Sequence, residues 1–298
     1  MGRVWSVFFG GTAVAALVVS IMAPRMGLWF PVLPQAPGGE PLSTIGVRID
    51  GLFYLILWLC TVVFIGTQSV LAYVLWTGSA GKDRRAWYTH GNHTLELVWS
   101  VIPGLILLFL AFYQIDVWAK FRIKSTVPKP VLNRPVAEIT ARQFEWRIRY
   151  PAPGKVLQPK PQPDDIYAVN ELHVPEGRMV TVRLVSEDVL HSFFVPHLRI
   201  KQDAVPGLAV PVWFEATTAG TYEIVCAELC GWGHYKMAGR LMVQPLEDYT
   251  AYLKQLSEKQ FSDGTAPAVA KQDADAGPAA GSHAPETVAT SVKLVHGP

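Results

Sequence analysis

Three apolar runs dominate the first 120 positions: Val4 to Ala23, Ile49 to Trp76, and Leu95 to Trp118, the last interrupted by Pro103. Crossing a ~30 Å hydrocarbon layer takes about 20 helical residues, and the second and third runs suffice for a membrane hairpin. Tyr54, Trp58, Trp76, Trp99 and Trp118 include several near the run ends, where interfacial aromatic belts sit. Proline inside a span is tolerated when neighbours cover the freed backbone groups. The first run follows Arg3 and stays open between a signal peptide, for which it is long, and a retained third helix; no clean Ala-x-Ala site follows it. Beyond Val131 the period changes to two. Ala137 to Tyr150, Met179 to Val185, Val210 to Ala216, Thr221 to Val225 and Arg240 to Val243 alternate like short strands, separated by Pro and Gly clusters. Segment 151–165, rich in Pro, reads as a loop. Many short strands in one stretch predict an all-β Greek-key sandwich or barrel.

The pattern divides the chain into a signal peptide or extra transmembrane helix with an outer loop (1–46), a transmembrane helical hairpin (47–119), a β domain (130–250) and a tail (262–298). The tail is Ala-, Gly-, Pro- and Asp-rich without periodicity, so it reads as disordered or as a partner-wrapping arm. Composition agrees with a membrane protein: half of the 298 residues are hydrophobic and mean hydropathy is +0.22. A formal charge of +2 gives no basic footprint for nucleic acid. The link from Thr77 to His93 sets Lys82, Arg84 and Arg85 against Asp83, which places it in the cytoplasm. Lys120, Arg122, Lys124 and Lys129 cluster just past the second helix of the hairpin, on the opposite side, and run against that rule. Large domains translocate largely regardless of charge.

The densest chemistry lies at 226–237, Cys-Ala-Glu-Leu-Cys-Gly-Trp-Gly-His-Tyr-Lys-Met. Sulfur and imidazole donors suit copper. A short-loop disulfide is another use of Cys226 and Cys230, but it leaves His234 and Met237 without a role. Structural zinc takes four Cys or His ligands, and this loop supplies only three. A one-copper blue site takes one Cys, two His and a weak Met, so the second Cys favours a two-copper cluster. Another ligand must come from elsewhere among the eight His. His173, His191 and His197 are the candidates; His191 is favoured because it leaves a strand-like run and enters an aromatic turn. Cys60, in mid-helix, reads as a packed small hydrophobe.

DVLHSF at 188–193, KQDAVPG at 201–207 and CAELCGWGHYKM at 226–237 resemble cytochrome c oxidase subunit II, in order and in spacing, over about residues 45–255. The resemblance implies a bacterial cytoplasmic-membrane protein with a cupredoxin barrel on the periplasmic side. It also implies a binuclear copper centre, CuA. Cys226 and Cys230 would bridge the coppers, with His191 and His234 each binding one. Met237 would be a weak ligand, and Glu228 would offer its carbonyl. The Glu228 side chain would reach a Mg or Mn site shared with subunit I. Glu96, in a Glu-x-x-Trp-x-x-x-Pro pattern, would help admit protons to subunit I. The implied partners are subunits I and III, with cytochrome c or a membrane-associated cytochrome as donor. Such a chain relays electrons to haem in subunit I, where dioxygen is reduced with proton pumping, and has no oxidase activity alone.

One position departs from the pattern. The family carries a Trp that receives electrons where this chain has Phe144, in Gln143-Phe144-Glu145-Trp146. Phe144, Trp146 and Trp232 are therefore the candidates for electron uptake. Residues 129–250 hold 14 Asp and Glu against 13 Lys and Arg, so the domain has no strong overall field to steer a basic donor. Asp164, Asp165, Glu187, Asp188 and Asp203 are the acids available for a local patch. No Cys-x-x-Cys-His is present, so a haem c donor would be a separate chain. A quinol oxidase subunit would lack the copper ligands, a copper chaperone would need no hairpin, and a nitrous oxide reductase would need a propeller domain. A CuA-bearing nitric oxide reductase subunit is the alternative that remains.

Overall fold

A computed structural model of the chain describes residues 2–26, 42–79 and 88–262. The Thr77–His93 link that carries the orienting charges, and the tail, lie largely outside the described residues. Three long helices come first: α1 (Gly2–Arg25), α2 (Thr44–Gly78) and α3 (His93–Arg122). Each is long and apolar enough to cross a membrane. α2 and α3 extend past the apolar runs at both ends, and polar residues cap their N-termini. Ser43 Oγ accepts the Gly46 N–H at 3.0 Å, and Asn92 Oδ1 accepts the Leu95 N–H at 3.2 Å. Pro103 lies within α3 without ending it. The spans face outward with bare apolar side chains, Trp58 being 64% and Leu107 66% exposed. Such surface needs lipid or partner helices around it. α1 packs along α2, where Ser6 Oγ donates to the Ala72 carbonyl at 2.6 Å.

The soluble domain is a two-sheet β-sandwich. A one-turn helix α4 (Lys129–Leu132) leads into β1 (Ala137–Arg142), β2 (Glu145–Tyr150), β3 (Ile166–Val169), β4 (Glu171–Pro175) and β5 (Met179–Ser186). β6 (His191–Val195), β7 (Ile200–Ala204), β8 (Val210–Glu215), β9 (Gly220–Cys226) and β10 (Ala238–Gln244) follow. The sheets run β3-β2-β1-β5-β8 and β4-β10-β9-β6-β7. This is the all-β sandwich that the alternation predicted, with two differences. The run from Ala137 to Tyr150 is a hairpin, with Glu138 opposite Arg149 and Arg142 opposite Glu145, turning at Gln143-Phe144. β3, β4, β6 and β7, of four or five residues each, are too short to announce themselves by period. Alternate residues of both sheets fill the core: Ile139, Ile148 and Leu184 face Leu172, Phe193 and Ile224, all essentially inaccessible. Burying each contributes roughly 1.5–3 kcal/mol.

An amphipathic helix α5 (Leu246–Phe261) closes the sandwich beyond the last predicted strand. Where the hairpin meets the domain, Arg199 Nε donates to Asp50 Oδ1 at 2.7 Å and Trp213 Nε1 donates to the Lys120 carbonyl at 2.9 Å. Ser43 Oγ adds a bond to the Leu198 carbonyl at 3.0 Å. These contacts fix the domain over the ends of α2 and α3.

Candidate metal centre

β9 ends at Cys226, the following loop carries Cys230, and a single 3-10 turn, His234–Lys236, brings Met237 back to the start of β10. The Cys226 N–H bonds the Met237 carbonyl at 3.1 Å, which closes the loop. β6 lies beside β9, with Phe193 opposite Cys226, so its first residue His191 arrives at the same place.

Four kinds of donor converge there. The Cys226 and Cys230 sulfurs are 3.8 Å apart, and both thiols are free, which excludes the disulfide. His191 Nδ1 is 3.9 Å from the Cys226 sulfur, and His234 Nδ1 is 3.6 Å from that of Cys230. The Met237 thioether lies 3.9 Å from Cys230, and the Glu228 carbonyl accepts from the Cys226 thiol at 3.2 Å. His191, both cysteines and Met237 are buried, while His234 and Glu228 are half-buried. A group of soft donors a metal–ligand bond or two apart, sheltered from water, fits a copper cluster. The predicted ligands are thus all brought together; His173 and His197 are not among them.

Two residues outside the predicted ligand set hold the site. Asp188 Oδ1 accepts from His191 Nε2 at 2.7 Å, so Nε2 carries the proton and Nδ1 presents its lone pair to the cluster. Asp188 Oδ2 accepts the Gln143 backbone N–H at 2.7 Å, and the Gln143 side chain donates to the Cys230 carbonyl. Burial alone would push the Asp188 carboxyl up, but the bonds from His191, Gln143 and Val189 hold it below the usual range. Burial opposes the charged form of His191, yet Cys226 and Asp188 raise its pKa. Burial also resists ionisation of Cys226, but the His191 contact and the Ser192 and Glu228 N–H groups lower its pKa. Cys230 is pushed the other way by burial and by the neighbouring Cys226 charge. The charge of one thiolate thus opposes ionisation of the other. The signal for Asp188 was its place three residues before His191, in the quoted DVLHSF.

The aromatic candidates take different positions. Trp146 is fully buried, edge-on to His191 at 6.4 Å and to Phe193 at 5.7 Å. Phe144 packs on the loop, where a Cβ at Gly233 would sit 2.5 Å from its ring; at Gly231, φ is +137°. Trp232 is 80% exposed and meets Phe144 edge-on at 5.2 Å. Glu96 lies in the first turn of α3, exposed and 4.0 Å from His93, at the helix end away from the sandwich. The acids expected to form a patch are each engaged: Asp164 with Lys155, Asp165 with Arg149, Glu187 with Arg147, Asp188 with His191 and Asp203 with Lys201.

Two family descriptions match the chain: the periplasmic domain of cytochrome c oxidase subunit II over residues 157–243, and its transmembrane domain over 42–117. An alternative cytochrome c oxidase subunit 2 of Bradyrhizobium diazoefficiens is 31% identical over 241 residues, covering 74% of this chain and 84% of the relative. The chain belongs to the cytochrome c oxidase subunit II family. A cytochrome c oxidase subunit 2 of Thermostichus vulcanus is 29% identical, with 82% of this chain and 84% of that one covered. The solved periplasmic domain of a subunit II from Bradyrhizobium japonicum is 24% identical, covering 41% of this chain and 93% of that domain, at a TM-score of 0.36. Family membership makes this a membrane-bound subunit of a haem–copper oxidase, working with subunit I, with its β domain periplasmic and its copper of the CuA type. The nitric oxide reductase alternative is not favoured, since the relatives are named as oxidase subunits.

Proposed function

We propose that Cys226, Cys230, His191, His234, Met237 and the Glu228 carbonyl form the electron-accepting copper site of this subunit. The observation that carries this reading is the 3.8 Å sulfur pair, flanked by two imidazole Nδ1 atoms and one thioether in a buried pocket. A binuclear copper centre held there supplies reversible one-electron chemistry. The two thiols would bind it as thiolates, so uptake would release protons. Asp188 keeps the His191 lone pair aimed inward, and Phe193 and Trp146 keep water away from that side. Copper titration of the full chain tests the assignment. Wild type should take up copper with binuclear stoichiometry and show hyperfine coupling to two equivalent nuclei, and Cys230→Ser should lose that coupling. Mononuclear uptake by wild type would refute it.

The same reading extends to the finer partners. Electrons enter through Trp232, which is exposed, touches Phe144 and lies between Cys230 and His234. The donor is a cytochrome c or a membrane-associated cytochrome. The Glu228 carboxylate makes no ion pair or hydrogen bond among the described residues, which leaves it available for a Mg or Mn ion at the boundary with subunit I. Glu96 serves proton uptake at the cytoplasmic end of α3, α1 remains as a third span of the bacterial cytoplasmic membrane, and subunit III completes the complex. Trp232→Phe with unchanged copper spectra should slow reduction by the donor about tenfold or more; an unchanged rate removes Trp232 as the uptake point.

A further inference from the structure

The basic residues at the outer end of α3 and just past it run against the sign expected on that side, and the electron-transfer site does not use them. Arg122 and Lys124 border a cleft of about 100 Å³ whose third polar group is Gln202 and whose apolar walls include Phe121 and Trp213. A cavity of about 290 Å³ opens on the other side of Phe121 and Trp213, bordered by Arg48 and Lys120. Both lie where α2 and α3 leave the membrane and meet β8.

The two openings differ in charge. Asp116 pairs with both Arg48 and Lys120, at 2.7 and 2.9 Å, and with Glu215, which also borders their cavity, the charges there balance. Arg122 and Lys124 form no ion pair among the described residues. Arg122 Nη1 donates to the neutral Gln202 Oε1 at 2.8 Å, and its guanidinium lies 4.8 Å over the Phe121 ring. Asp203 feels the Arg122 charge but is already held by Ser192 and Lys201, at 2.7 and 2.9 Å. The small cleft therefore carries two uncompensated cations beside an apolar wall. The apolar run of α3 stops at Trp118, and Arg122 stands one turn, about 6 Å, above it. That is the depth of lipid headgroups.

We propose that the Arg122–Lys124 cleft is a headgroup site for an anionic phospholipid of the outer leaflet. The lipid phosphate takes the open donors of the guanidinium and ammonium groups. Trp213 borders the headgroup as interfacial tryptophans do. The acyl chains run down the bare surface of α3, where Phe112 and Ile115 are 66% and 53% exposed. This gives the out-of-place basic cluster a role: it anchors the domain end of the hairpin to the membrane surface. The apolar walls and the continuity with the span select a lipid over free phosphate.

Native mass spectrometry of the purified, delipidated oxidase complex tests this, after addition of phosphatidylglycerol or phosphatidylcholine with matched chains. Wild type should retain phosphatidylglycerol preferentially. Arg122→Ala with Lys124→Ala should reduce that retention roughly tenfold or more, since each basic group near an anionic surface contributes several-fold. The charge-preserving pair Arg122→Lys with Lys124→Arg should restore it, and Lys155→Ala, far from the cleft, should leave it unchanged. If the double alanine variant does not assemble, the exposed Lys124→Ala alone should still lower retention several-fold. Equal retention of both lipids, undiminished retention in the alanine variants, or displacement by millimolar inorganic phosphate would overturn the proposal.

Discussion

Asp188 shows how one carboxylate sets two parts of the copper site. Its Oδ1 fixes the His191 tautomer, and its Oδ2 pins the Gln143 backbone next to Phe144, whose ring underlies the cysteine loop. Asp188→Asn keeps an acceptor for His191 Nε2 but removes the charge and turns an N–H₂ toward the Gln143 N–H. Losing such a partner costs about 10- to 100-fold in metal affinity. The weaker imidazole donor should also stabilise the oxidised site less, so its reduction potential should rise. Competition with a copper chelator and potentiometric titration measure the two effects; an unchanged affinity and potential would make Asp188 merely structural. The proposed ligands were legible in the sequence because five of the six fall within twelve positions and the sixth opens a strand. Gln143 was not, because its bonds reach Asp188 and Cys230, far along the chain, and Asp188 offered only its place three residues before His191.

At the scale of elements, long apolar runs and alternating strands were readable, and α5 was not. Its sequence, LEDYTAYLKQLSEKQF, is mostly polar, and only a narrow stripe that includes Tyr249, Tyr252, Leu253 and Leu256 faces the domain. Tyr249 is buried, the Gln260 side chain bonds the Tyr167 backbone, and the Tyr252 ring stacks on His173 at 3.5 Å and 9°. His173 is itself buried in β4; its Nδ1 meets Gln244 of β10 at 2.8 Å, and its N–H bonds the Tyr150 hydroxyl of β2 at 2.7 Å. Burial lowers its pKa from 6.5, with Gln244 and Glu171 only partly opposing. The folded state therefore prefers the neutral ring. The stability this contributes is present above pH 6.5 and is lost as the pH falls through the depressed folded value, because unfolding then takes up a proton. Wild type should lose stability between pH 7 and 5 more steeply than His173→Gln, with α5 the first segment to exchange amide hydrogens. Identical slopes would show that the ring does not couple α5 to protonation. Tyr252→Ala should cost about 2 kcal/mol at neutral pH, from the lost stack and buried area.

Across the whole molecule, the distribution of charge decides how a donor can approach. Composition already indicated near-balance in the β domain, and the structure removes what remained of an acidic patch. Asp165 and Glu138 are spent on the buried Arg149, Glu187 on Arg147, and Asp188 on His191. The surface beside the copper loop is instead apolar and bare: Leu229, Trp232 and Tyr235 are 77%, 80% and 76% exposed. Lys236 sits 5.9 Å from the Trp232 ring and Glu228 adjoins Leu229 in the loop, so the patch carries one charge of each sign and no acidic field. Exposed apolar clusters of this kind mark contact surfaces. A donor that docks on it gains little from long-range attraction, and unsteered association runs near 10⁵–10⁶ M⁻¹s⁻¹ rather than the far higher rates of complementary charge. A membrane-tethered donor would compensate by staying nearby, as a bound module raises effective concentration. Turnover should therefore change less than about threefold between 20 and 200 mM salt, where charge-steered pairs fall much more steeply. Leu229→Asp should weaken donor reduction while leaving the copper spectrum intact. A steep fall of turnover with salt, or indifference to Leu229→Asp, would return the docking role to charged groups elsewhere on the domain.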